Sequence, residues 1–223
     1  MIGLLAGGAS VIFAASCAAV WLHPLVGVLL GVVGLVLTIL GVSMVWYGYR
    51  GKQAVCAAML DTIAWRGDEA VLDVGTGRGL LAIEAAKRAT HGKVTGIDIW
   101  RPGDLSNNTR ESALANVEIE GVADRVVMTH VSATELPQAD ATFDAVVSLF
   151  CLHNIEPRAM HDRACQEIAR VLKPGGVAVI GDYSAIDDHA RALTAAGLVV
   201  TRRWNLCGVA RSLCFALVLH KPT

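Results

Sequence analysis

Hydrophobic and polar positions are spread very unevenly along this chain. From Met1 to Tyr49 there is no Asp, Glu, Lys or Arg, and the first charged side chain is Arg50. Two apolar runs fill that stretch, Ile2–Leu22 and Leu25–Tyr47. A helix needs roughly 20 residues to cross a hydrocarbon core about 30 Å thick, and each run is that long. His23-Pro24 lies between them, and proline disfavours helical geometry at the residue before it. The pattern predicts two transmembrane helices joined by a tight turn over residues 1–50. Trp21, Trp46, Tyr47 and Tyr49 stand near the expected ends, where an interfacial aromatic belt would place them. Gly3-x-x-x-Gly7 and Gly27-x-x-x-Gly31 put small residues on one face, so the helices can approach each other, or those of a second copy, closely. A secretory signal would need a basic start and a much shorter apolar core. Arg50, Lys52 and Arg66 follow the second run, and the positive-inside tendency puts everything after it in the cytoplasm.

From residue 51 onward the pattern changes to an alternation of short β-branched runs and amphipathic stretches. Lys52–Trp65 reads as a helix that Arg66-Gly67-Asp68 ends. Strands are expected at Ala70–Val74, Lys93–Ile99, Arg125–Val131, Phe143–Ser148 and Val177–Asp182. Helices are expected between them at Leu80–Ala89, Asn107–Glu120 and Pro157–Leu172, with another at Asp187–Ala196. Leu198–Asn205 and Ser212–His220 close the chain as two strands with no helix between them, and so should pair antiparallel. Alternation of this kind makes a mostly parallel sheet covered by helices on both faces. Residues 51–223 form one domain with room for a real core.

Composition narrows the function classes. The 223 residues are 54% hydrophobic with a mean hydropathy of +0.50, and the first fifty residues supply the excess. A net charge of -1 gives no electrostatic ground for nucleic-acid binding. No two of the six cysteines have C-x-x-C spacing, and His130, His161, His189 and His220 are scattered, so no metal site is expected.

The most informative segment is Val71-Leu72-Asp73-Val74-Gly75-Thr76-Gly77-Arg78-Gly79. It follows a strand and opens a helix, where glycines let a ligand approach the main chain. The G-x-G-x-G spacing with Asp73 before it differs from the G-x-G-x-x-G turn that seats a dinucleotide pyrophosphate, which argues against a nicotinamide-dependent oxidoreductase. Gly96-Ile97-Asp98-Ile99 ends the second strand, where a carboxylate can accept hydrogen bonds from two ribose hydroxyls.

These two segments resemble the class I S-adenosylmethionine (SAM)-dependent methyltransferase family. The likeness continues through Glu135-Leu136-Pro137, Phe143-Asp144-Ala145-Val146-Val147-Ser148, Leu152-His153-Asn154-Ile155 and Leu172-Lys173-Pro174-Gly175-Gly176. It implies a seven-stranded Rossmann-like sheet with the last strand antiparallel, and SAM as cofactor. By resemblance, Asp73, Gly75 and Gly77 line the methionine part of SAM, with Thr76 and Gly79 in the same turn. Asp98 holds the ribose, and Ile99 or Trp100 packs beside the adenine. Where the family often has an acidic residue before Ala-x-x-Leu-Pro, this chain has Ser132 followed by Ala133; the serine oxygen can accept the adenine amino hydrogen bond instead.

The methyl of SAM sits on a sulfonium, so much of the rate can come from aligning the acceptor. A general base is needed only if the acceptor must lose a proton. His153, just past the fourth strand, is the candidate, because open α/β sheets bind ligands at the carboxyl ends of their strands. Asp182 and Tyr183 end the fifth strand and could face the acceptor too. The polar stretch Trp100–Thr109 reads first as a turn and helix cap, and second as a loop over adenosine. The expected activity is methyl transfer to a small, hydrophobic or membrane-associated acceptor. The alternative from another class is a membrane protein that binds SAM without transferring methyl.

Overall fold

In the computed structural model the described residues are 24–101, 103, 108–210 and 213–223, together with 10, 11, 13, 14 and 17. The chain divides into two units, residues 1–54 with 207–212 and residues 55–206 with 213–223.

In the first unit, helix α1 runs from Pro24 to Trp46 over 23 residues. Proline at a helix's first position costs nothing, because that N–H would have no intrahelical partner. Its aliphatic side chains stand outward, with Leu25 72% and Val28 64% exposed, whereas Gly27, Gly34 and Gly41 are buried. Spacing by seven places these glycines on one face, so α1 has a small-residue seam and a greasy back. Among the described residues it is the one helix long and apolar enough to cross a membrane, where two were expected. The first run, Ile2–Leu22, with Trp21, Gly3 and Gly7, lies largely outside the described residues. A π-helical turn, Tyr47–Gly51, follows α1, and the short helix Cys207–Ala210 belongs to the same unit.

Helix α2, Lys52–Leu60, is shorter than the expected Lys52–Trp65. Its end is capped by side chains: the Thr62 hydroxyl donates to the Met59 carbonyl at 2.6 Å and the Trp65 indole to the Leu60 carbonyl at 2.8 Å. The same two carbonyls accept the Thr62 and Ile63 N–H groups three residues on, at 3.2 and 3.1 Å, so the last turn tightens and the helix ends.

The second unit holds one sheet. Its strands are β1 (Ala70–Val74), β2 (Lys93–Asp98), β3 (Val126–His130), β4 (Phe143–Leu149), β5 (Leu172–Asp182), β6 (Val199–Asn205) and β7 (Phe215–His220). The order is β3-β2-β1-β4-β5-β7-β6. The first five strands are parallel; β7 runs antiparallel to both β5 and β6. The remaining helices are α3 (Leu80–Arg88), α4 (Arg110–Ile119), α5 (Arg158–Val171) and α6 (Ile186–Ala195). The central strands are buried along nearly their whole length, as a parallel sheet covered on both faces requires. Leu72, Val146, Ile180, Leu172, Ile168 and Leu193 are fully buried in its core. Each such side chain contributes roughly 1.5–3 kcal/mol.

Several motif residues hold this frame rather than a ligand. The Asp144 carboxylate accepts from the Ala70 N–H at 2.9 Å and from Lys173 Nζ at 2.8 Å, tying the starts of β1, β4 and β5 together. Strand β5 begins at Leu172, earlier than the expected Val177, because Leu172 pairs with Phe143 ahead of a bulge. The Glu167 carboxylate accepts from the Leu136 N–H at 2.9 Å and is gripped by Arg170, which fixes the segment after β3.

Candidate active site

The carboxyl ends of β1, β2, β4 and β5 bring two sets of residues to one edge of the sheet. The first set surrounds the glycine turn. Gly75, Gly77 and Gly79 have φ of 74°, 53° and 89°, a left-handed backbone that other residues adopt only with strain. A side chain at Gly75 would also collide with Cys151, whose Sγ lies 2.2 Å from where its Cβ would be. The turn is fastened from below: the N–H groups of Gly75 and Thr76 both donate to the Ile97 carbonyl at 2.9 Å.

Asp73 sits under this turn, buried. Its Oδ2 accepts from the Thr76 hydroxyl at 2.7 Å and from the Ala82 N–H at 3.0 Å. It therefore braces the turn against the start of α3. Burial pushes its carboxyl up to about 7, against the downward pull of the Thr76 and Ala82 hydrogen bonds. Desolvation disfavours the charged form, and the two donors recover only part of that cost.

Asp98 closes β2 and reaches across to the turn. Its Oδ2 accepts from the Gly77 N–H at 2.8 Å and its Oδ1 from the Trp100 N–H at 2.7 Å. Bonds of this charge-assisted kind contribute roughly 1.5–3 kcal/mol each. Each carboxylate oxygen retains a lone pair, so the group can accept from two vicinal hydroxyls in addition. That pair of acceptors suits the ribose hydroxyls of SAM. Trp100 stands at φ 44° with its ring largely buried. Its indole donates to the Gly77 carbonyl at 2.9 Å and stacks near His130, with centroids 6.0 Å apart. Ile99 is exposed beside it. Ser132 and Ala133 follow β3, next to the end of β2, where the Val131 N–H donates to the Asp98 carbonyl at 3.2 Å. The Ser132 hydroxyl is already engaged with Thr134 Oγ1 at 2.8 Å. The polar stretch before α4 does supply a cap: the Thr109 side chain accepts from the Ser112 N–H at 3.1 Å. Asp104, Ser106 and Asn107 lie outside the described residues.

The second set lies one and two strands away. His153 sits in a single 3₁₀ turn, Leu152–Asn154, beyond β4. Its Nδ1 is 2.8 Å from Asp182 Oδ1 and 3.0 Å from Oδ2. Its Nε2 is 2.9 Å from the Tyr183 hydroxyl. Asp182 is fully buried at the end of β5, and its Oδ1 also accepts from the Tyr183 N–H at 2.8 Å. Burial alone would raise the Asp182 carboxyl, but hydrogen bonds from His189 and His153 outweigh it and hold the group below its usual range. An imidazole, a carboxylate that orients it and a phenolic hydroxyl at its other nitrogen are thus in one line. In register with Asp182, on the neighbouring strand, is Phe215. It lines an open pocket with Ile186, Trp204, Asn205 and Leu217.

The structure thus gathers Gly75, Thr76, Gly77, Gly79, Asp98 and Trp100 on one side and His153, Asp182 and Tyr183 on the other. Sequence reasoning missed the Cys151 contact that joins them and the buried His189 behind Asp182. Neither carries a local signal, because Cys151 and Gly75 are 76 positions apart in the sequence and meet only through the β1–β4 pairing.

A methyltransferase-domain family model matches residues 72–180. An uncharacterized methyltransferase of Mycobacterium bovis is 34% identical over 153 residues, 69% of this chain and 67% of that protein. A ubiquinone/menaquinone biosynthesis C-methyltransferase of Roseobacter denitrificans is 31% identical over 133 residues, 60% of this chain and 50% of that protein. The cyclase SpnF shares the fold, with a TM-score of 0.63 at 21% identity over 77% of this chain and 81% of its own. The chain spans about half the length of several curated relatives it matches, from 42% to 50%. With the seven-stranded order, the glycine turn and the carboxylate closing β2, these likenesses show that the chain belongs to the class I SAM-dependent methyltransferase family.

Proposed function

We propose that the protein transfers a methyl group from SAM to a hydroxyl-bearing, hydrophobic acceptor that resides in or at a membrane. SAM, held by the glycine turn and Asp98 with Ile99, Trp100, Ser132 and Ala133 around the adenine, supplies an electrophilic methyl on sulfur. The chain's own part is to seat the acceptor, exclude water and take the proton. His153 keeps its Nδ1 on Asp182 and presents Nε2 to the acceptor hydroxyl. Proton removal makes the oxygen a stronger nucleophile as it attacks, and the buried carboxylate stabilises the imidazolium that forms.

The observation that carries this reading is the Tyr183 hydroxyl, 2.9 Å from His153 Nε2. A phenol of the chain itself stands where an acceptor hydroxyl would replace it. The pocket over β6 and β7, where Ile186, Trp204, Phe215 and Leu217 give apolar walls beside Arg203 and Asn205, suits the rest of a hydrophobic acceptor. Helix α1 suits a membrane anchor, with a second span over Ile2–Leu22 completing a hairpin and the catalytic part cytoplasmic. The glycine seam of α1 also suits association with a second copy. Several relatives are named as ubiquinone/menaquinone biosynthesis C-methyltransferases, which accords with a hydrophobic acceptor.

The test uses full-length protein in lipid vesicles, with lipid-soluble and water-soluble phenols offered alongside SAM. Methylated lipid-soluble phenol and stoichiometric S-adenosylhomocysteine are expected. A second reading, SAM binding without methyl transfer, draws on the fold shared with a cyclase. Tight SAM binding with no S-adenosylhomocysteine released from any acceptor would establish it.

A further inference from the structure

Behind the His153–Asp182 pair the structure carries a second imidazole pair. His189 of α6 is fully buried, and its Nε2 lies 3.1 Å from Asp182 Oδ2. Its other nitrogen, Nδ1, lies 2.8 Å from Nε2 of His161, a buried residue of α5. The two rings stack with centroids 5.0 Å apart. The far nitrogen of His161 is 3.5 Å from Asp162 Oδ1, too long for a strong hydrogen bond. The Cys165 thiol is 3.9 Å from His161 Nε2, and the Asp188 charge acts on His161 from α6.

Counting protons fixes the tautomers. An ionised carboxylate has no hydrogen to give, so Nδ1 of His153 and Nε2 of His189 must both donate to Asp182. Nδ1 of neutral His189 then carries a lone pair and accepts from Nε2–H of His161. His161 is left with a bare Nδ1 toward Asp162, in keeping with the long distance there. The chain of donors therefore runs His161 to His189 to Asp182, and every member has one role.

We propose that His189, held in turn by His161, is a positioning residue for the base: it pins Asp182 Oδ2 so that His153 stays in the Nδ1–H tautomer with Nε2 free for the acceptor. This rests on the reading of His153 as the base. Burial, and the nearby His189, lower the proton affinity of His161, and two imidazoles 2.8 Å apart cannot both hold a charge. His161, which gives up its proton the more easily, therefore keeps one N–H, on Nε2, for His189. Without His189, Asp182 Oδ2 loses a donor and shares only the His153 N–H. The carboxylate then holds a proton, its own or that of His153, more tightly. In either case the base is freed only at higher pH.

The test compares His189→Phe, His189→Gln and His161→Phe in full-length protein in detergent, each checked for folding by circular dichroism and SAM binding. Nitrogen-15 histidine spectra, with His153 assigned by its loss in His153→Asn, read the tautomer directly. In wild type His153 should be Nδ1–H. In His189→Phe it should become mixed and titrate about one pH unit higher, the size of an ordinary single-partner shift. The acid limb of kcat/KM should move up by the same amount while the KM for SAM stays unchanged. His189→Gln, which retains an N–H for Asp182, should restore both, and His161→Phe should fall between. An unchanged tautomer and unchanged acid limb in folded His189→Phe would overturn the proposal. Full activity in His153→Asn would instead remove the base, while the spectra would still report on His189.

Discussion

The two ends of this site are built differently. The SAM end is made of backbone: left-handed glycines, two N–H groups on the Ile97 carbonyl, and Asp98 bonded to two more. The end proposed for the acceptor is made of side chains drawn from a 3₁₀ turn, β5, α6 and α5. A backbone cradle needs a contiguous stretch of sequence and suits one ligand. A side-chain line can change its residues singly, so it is where members of one family can differ in acceptor.

If that contrast is right, damage to the two ends will read out differently. The largest effect is expected from His153→Ala, which should lower kcat by roughly 10²–10⁴, the usual contribution of a positioned general base, and leave SAM affinity intact by calorimetry. Comparable SAM-dependent turnover in wild type and variant would mean the acceptor needs no base.

Next comes Asp73→Asn, which keeps an acceptor for Thr76 and Ala82 but cannot ionise. The Asp73 carboxyl is raised in the folded state, so its contribution is fully present below its ordinary value of 3.8 and is lost as pH rises to about 7. The variant should gain on wild type across that window, by an amount on the order of 4 kcal/mol at most. Denaturant melts at pH 4 and pH 8 check it; equal differences at both would show the carboxyl is not buried as described.

Asp98→Ala removes the ribose acceptor and two backbone bonds, and should weaken SAM binding by roughly 10–100-fold. Its effect on the His153 titration should be nil, which separates the ends. Trp100→Phe loses only the indole bond to Gly77, for a loss of about 1 kcal/mol or a few-fold in affinity. Equilibrium titration with S-adenosylhomocysteine reads both variants, and a larger loss in Trp100→Phe than in Asp98→Ala would invert the account.

The same contrast explains what the sequence shows. Strand β1 was expected at Ala70–Val74 and stands there, because five apolar-rich residues before a glycine turn have few alternatives. The sheet's antiparallel last strand follows from two strands with no long helix between them. Helix α2 ends early where the Thr62 and Ile63 N–H groups bond carbonyls three residues back and the Thr62 and Trp65 side chains join them, details that apolar periodicity does not encode. Asp73 reads as lining the methionine part of SAM; that its carboxylate also braces Thr76 and Ala82 is visible only from burial and geometry. His161 and His189 read as scattered because 28 positions separate them, and packing of α5 on α6 makes them neighbours.

The central claim is that the turn after β1 and the carboxylate closing β2 hold an adenosyl amino acid. Calorimetric titration of folded full-length protein with SAM, S-adenosylhomocysteine and NAD tests it most directly. Saturable heat with a stoichiometry near one is predicted for the first two and none for NAD. Silence with both adenosyl ligands, or binding of NAD instead, would contradict it.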